Sequence, residues 1–132
     1  MSRSLLCDAA SEIDVALRIL AANRLPHRLL ADVLAIPVER IDAMADGGPA
    51  LLWPAEQEML RMFIAVMVRL EIRFGHEPRY VRRALATPLD LLGGRTPEQA
   101  MKEGVDGLRA VHRAAGEMAL PATRWWRVPP HR

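Results

Sequence analysis

The chain has 132 residues, half of them hydrophobic, with 18 basic and 16 acidic side chains and one cysteine. That length predicts one compact domain, or a small helical domain with an appendage; the lone Cys7 excludes an intrachain disulfide and fits a reducing compartment. The longest uncharged apolar run, residues 62–68, is far too short to span a membrane, and the first residues carry no signal-peptide pattern, so a cytoplasmic protein is expected.

Almost every segment between prolines has helical spacing, and no alternation is long enough to predict a strand. Ser11 is placed as the cap of a first helix running to about Ala22, with Ile13, Ala16, Leu17 and Leu20 on one stripe. Pro26 starts a second helix with Leu30, Val33 and Leu34 inward. Ile36-Pro37 breaks it and opens a third, with Ile41 and Met44 inward, that ends at Gly47-Gly48-Pro49. Pro54 starts a long helix to about Phe74, closed by Gly75. Its apolar residues cover nearly the whole circumference, which predicts burial on all sides, as a central core helix, a homodimer interface, or both. Pro78 opens a further helix that Pro88 terminates. The last two are expected over 97–103 and 106–119, the latter with Leu108, Val111, Ala115 and Met118 on one seam. The fold class is all-α: a helix-turn-helix-containing bundle with a long central helix and a small C-terminal helical domain. The expected regions are 1–76, 77–120 and a tail, 121–132.

Residues 27–47 have the layout of a helix-turn-helix. Ala31 sits where the two helices must approach closely, Ala35 occupies the turn, where glycine is commoner, and Ile41 holds the apolar position of the second helix. The outward positions of that second helix carry Glu39, Asp42 and Asp46 against Arg40 alone, a charge balance that repels phosphates. Arg24, His27, Arg28 and Arg40 are the candidate DNA contacts, and the unit reads either as an operator-binding element or as scaffold. Charge is unevenly spread: residues 1–60 are net −4 and residues 61–132 net +6, so an acidic partner or a nucleotide pocket would meet the second half.

The most informative stretch is residues 87–97, Thr-Pro-Leu-Asp-Leu-Leu-Gly-Gly-Arg-Thr-Pro. Two prolines bracket a Gly-Gly pair, so one helix stops, the backbone turns sharply and another helix starts. Thr96-Pro97-Glu98-Gln99 has the form of a capping box with proline at the first helical position. Extended back to Ala84 and on to Met101, the stretch resembles the signature of the Xre/MbcA/ParS-type antitoxins. In that family an aromatic-Leu-x-Thr/Ser-Pro-Asn block leads to Leu-Gly-Gly-x-Thr/Ser-Pro, then a short helix, a glycine and a longer helix; Gly104 and residues 106–119 occupy those last places here. Ala84 stands where the family usually has tryptophan, and Leu89 where it has asparagine.

The resemblance implies a toxin-binding domain preceded by a helix-turn-helix, and a partner toxin, typically a RES-domain enzyme that consumes NAD. It implies that Gly93, Gly94, Arg95, Thr96 and Pro97 shape the surface that holds the toxin, with Arg95 in polar contact. Beyond the last helix, Arg124, Trp125, Trp126 and Arg127 form a tail of residue types enriched at binding hot spots. That tail reads either as an insert for the toxin's pocket or as a cover for the long helix. A second basic cluster, Arg79, Tyr80, Arg82 and Arg83, precedes the signature. The alternatives are a DNA-binding transcription regulator of the same architecture and a divergent adaptor without a toxin. The four histidines share no metal-ligand spacing with one another or with Cys7, and no phosphate-cradling Gly-rich loop is present. No metal, cofactor or catalytic role is therefore expected.

Overall fold

The computed structural model describes residues 6–117. In chain order these form β1 (Cys7–Asp8), α1 (Ala10–Ala22), α2 (His27–Leu34), α3 (Val38–Ala45), β2 (Leu51–Leu52), α4 (Pro54–Arg73), α5 (Pro78–Leu85), a single 3₁₀ turn (Asp90–Leu92), α6 (Pro97–Met101) and α7 (Val105–Glu117). The architecture is all-α, and each helix expected from the sequence forms, with most ends within a few residues of those expected; the expected end of the last, at residue 119, lies outside the described residues.

Prolines set three of the starts: α4, α5 and α6 each carry proline in the first turn, where the missing N–H costs nothing. Glu56 turns back to accept from the Trp53 amide at the head of α4 (2.9 Å). The first helix corrects the expectation for Ser11. It begins at Ala10, Ser11 lies exposed inside it, and the Asp8 carboxylate accepts from the Ala10 amide (3.0 Å). Asp8 is brought there by a two-residue antiparallel ladder pairing Cys7 with Leu52 and Asp8 with Leu51. Two-residue strands carry no alternation to detect, and so the ladder escapes a sequence reading.

Helix α4 is the axis of the bundle, packed by α1 and α2, by α5 and, most extensively, by α7. Leu60, Phe63, Val66, Met67 and Leu70 lie on one three–four stripe and are buried. Each large side chain removed from water in this way contributes about 1.5–3 kcal/mol. Burial on all sides is not reached within the single chain: Val68 is 39% and Ile72 66% exposed. A 20-residue helix offers more apolar surface than four neighbours cover, and the opposite stripe is left to solvent among the described residues.

One hydrophobic cluster runs through every helix, joining Ile13 and Leu20, Leu30 and Leu34, Ile41, Phe63, Val81 and Leu85, Met101, Leu108 and Val111. Polar ties fix the helices against each other. Gln57 and Arg61 of α4 both reach Glu12 of α1 (3.1 and 2.6 Å). Asn23, 2% exposed at the end of α1, donates from Nδ2 to the Ile19 carbonyl (3.0 Å) and to Glu71 of α4 (2.8 Å). Arg82 of α5 in turn donates to the Asn23 carbonyl (3.1 Å), satisfying a C-terminal carbonyl that α1 leaves without an intrahelical partner. Among the described residues no helix is long and apolar enough to cross a membrane.

Candidate functional site

Residues 87–97 form a self-closed exposed connection between α5 and α6. Thr87 Oγ1 donates to the Arg83 carbonyl (2.6 Å), and Pro88 prevents the helix from continuing. Leu89 is buried, its amide donates to the Arg95 carbonyl (3.1 Å), and its own carbonyl accepts from the Gly94 amide (2.9 Å). Between these two bonds the 3₁₀ turn runs into Gly93 (φ +68) and Gly94 (φ +86). A residue with a Cβ adopts that left-handed region at a cost of about 1–2 kcal/mol. A Cβ added at either glycine would meet nothing within 4 Å, so the demand for glycine is conformational, not steric.

The rest of the connection is equally well held. Arg95 donates from Nε to the Leu92 carbonyl (2.8 Å), and its guanidinium pairs with Glu103 beyond α6. Thr96 accepts from the Gln99 amide (3.0 Å) while Gln99 accepts from the Thr96 amide (2.9 Å), which is the reciprocal capping box read from the sequence. Pro97 is buried against the core side. Gly93 and Gly94 are exposed, and Arg95 and Thr96 are half-buried. Leu91 was not singled out in the sequence, yet it is 58% exposed beside buried Leu92. The adjacent leucines were the available signal, because neighbours in a single turn do not share a face.

The pair α2–α3 is joined by Ala35, Ile36 and Pro37, with Ala35 left-handed at φ +58 and Ile36 buried. Its second helix is anionic outside, with Glu39, Asp42 and Asp46 exposed. Arg40 turns away from that surface: its guanidinium pairs with Glu56 (3.3 Å) and donates to the Leu51 carbonyl (3.1 Å), clamping α3 to β2 and the head of α4. His27 Nδ1 lies 2.7 Å from an Asp42 oxygen. Arg24 and Arg28 are exposed where α1 meets α2. The four candidate DNA contacts are thus split between two partnered side chains and two outward ones.

A groove of about 580 Å³ between α4 and α7, not anticipated from the sequence, is lined by Glu58, Met62, Ala65, Arg109, His112 and Arg113. Burial, and then the charge of Arg69 nearby, push the His112 imidazole below its ordinary value. Arg124, Trp125, Trp126 and Arg127 lie outside the described residues, as does Met118. No family model matches this chain, and no curated protein sequence does.

Proposed function

We propose that the chain is an antitoxin-like cytoplasmic protein of the Xre/MbcA/ParS type that binds a toxin and occludes its active site, the toxin being a RES-type enzyme that consumes NAD. The observation that carries this reading is the connection at residues 87–97. It holds the signature in a rigid frame and presents the backbone of Gly93 and Gly94 together with exposed Leu91. A preorganised loop loses little entropy on docking, so an apolar side chain and uncovered backbone on it favour a protein partner. Arg95, tied to Glu103 and Leu92, supports the frame, and the Trp-Arg tail supplies the inserting element. Inhibition is steric and stoichiometric, and the chain itself performs no chemistry. A second copy pairs along the open stripe of α4, where Val68 and Ile72 are exposed.

Transcription regulation is the second reading, favoured by the α2–α3 pair with its short left-handed turn. The anionic outer face of α3 weighs against operator contact by that helix. The test is affinity capture from a lysate of the native organism, followed by an NAD-consumption assay on the captured enzyme with added chain. Dose-dependent inhibition saturating near one chain per enzyme, weakened by Leu91→Ala and by truncation after Leu120, is the expected result. Capture of no enzyme, or undiminished NAD consumption at excess chain, would overturn the reading.

A further inference from the structure

Two basic groups that are far apart in sequence meet at one corner of the fold. Arg82 of α5 donates to the carbonyl of Asn23, the residue next to Arg24 in the turn between α1 and α2. Arg24 is exposed, with its backbone in the left-handed region (φ +56). On α5, Arg79 lies one turn before Arg82 and Arg83 directly after it, and the Arg79 guanidinium stands 5.7 Å from the centre of the half-exposed Tyr80 ring. Helix α5 itself contains no acidic residue.

We propose that this corner, formed by the α1–α2 turn and α5, is a phosphate-binding surface for the backbone of duplex nucleic acid. It is a different face from the anionic exterior of α3. The inference does not depend on the toxin-binding reading and needs only the charge distribution of the fold. Glu71 and Glu77 stand at the corner against Arg24, Arg79, Arg82 and Arg83. Glu71 accepts from the neutral Asn23 amide and keeps its charge, which the four arginines outnumber. Glu77 pairs with Arg79 at 3.1 Å, but that arginine side chain is 72% exposed. An exposed pair contributes little and yields readily to a phosphate. Guanidinium groups carry five donors, so Arg82 holds the Asn23 carbonyl with one and keeps others for an oxyanion. Arginines on successive turns of α5, continued by Arg24 from another element, form a track rather than a point, as a polyanion requires.

The test is fluorescence anisotropy of the full chain with a labelled mixed-sequence 20-base-pair duplex at 50–200 mM NaCl. Binding is expected to weaken steeply with salt. Each phosphate contact contributes a slope near 0.9 in log affinity against log salt, or about 3.5-fold in affinity between 50 and 200 mM. Arg24→Gln, Arg79→Gln and Arg83→Gln are each expected to lower that slope by about one, with unchanged circular dichroism. Arg82 is left in place because its side chain holds α1. Three results overturn the proposal: no binding at 50 mM salt; binding indifferent to these arginines but strengthened by Glu39→Gln and Asp46→Gln, which would move the nucleic acid to α3; and equal displacement by polyglutamate, which would identify the corner as a surface for acidic proteins. None of these outcomes bears on toxin capture or on the NAD assay.

Discussion

Two glycines of α7 have opposite environments and are expected to respond oppositely to the same substitution. A Cβ at Gly107 would stand 1.8 Å from the Ala100 carbonyl oxygen and 2.8 Å from its carbon, so α7 touches α6 backbone to backbone there. A Cβ at Gly116 would also meet an atom at 1.8 Å, but that atom is Nη1 of Arg69, the far end of a flexible side chain. Alanine in place of glycine favours a helix by about 1 kcal/mol. At Gly107 this gain is opposed by overpacking, which costs about 1–3 kcal/mol in general and more where neither backbone can turn aside. Helix α6 has only five residues and is held at its head by Thr96 and at its rear by Met101 in the core, so it cannot retreat by the required ångström or more. Gly107→Ala is therefore expected to destabilise the fold by about 1–3 kcal/mol net, a fall in Tm of roughly 4–12 °C for a domain of this size. At Gly116 the guanidinium swings away, sacrificing one exposed hydrogen bond to the His112 carbonyl (3.1 Å), and the net change stays within about 1 kcal/mol of zero. Thermal and urea unfolding followed by circular dichroism at 222 nm measure both. Equal shifts for the two variants, or a gain in Tm for Gly107→Ala, would refute the close-approach reasoning.

Ala35→Gly is expected to stabilise the chain by about 0.5–1 kcal/mol, because relief of the left-handed strain exceeds the added entropy of the unfolded glycine; a lower urea midpoint would contradict this. Asn23→Ala removes the donor shared by Ile19 and Glu71 and is expected to cost about 1–3 kcal/mol in the same assay. Asn23→Asp, which sets a second carboxylate against Glu71, should cost more, and the excess should shrink as the pH is lowered. The Arg61 guanidinium, and then Gln57, hold the Glu12 carboxyl below its ordinary value of 4.5. A depressed carboxylate stabilises the fold above its unfolded pKa, and that contribution is lost as pH falls from about 4.5 through the folded value. Wild type and Arg61→Gln should therefore converge in urea midpoint below that pH, and a constant gap would exclude the linkage. His112 acts in the next window upward: its imidazole is depressed by burial, so stability is full above 6.5 and declines as pH falls below it, a decline that His112→Gln should remove.

What the sequence determined by itself was the punctuation and class of the fold. Pro54, Pro78 and Pro97 begin helices and Gly93 and Gly94 end a turn because φ restriction and left-handed freedom are properties of single residues, independent of neighbours. The Thr96–Gln99 box is legible for the same reason, since both partners lie within one turn. Where an assignment needed a distant partner, only the tertiary structure decided it. Apolar periodicity marks α4 as a core helix but cannot say which stripe goes uncovered, and the answer, Val68 and Ile72, depends on which side of α4 its neighbours pack. Arg40 is paired by Glu56, sixteen residues later, a partner that the spacing within α3 does not reveal. Arg95 pairs with Glu103, eight residues later, a partner that its place in the turn does not reveal. The corner that joins Arg24 to α5 spans a separation of 59 residues between Asn23 and Arg82. Charge has no periodicity that predicts its partner; packing of the apolar faces brings the helices together, and electrostatics is settled by what that packing leaves side by side.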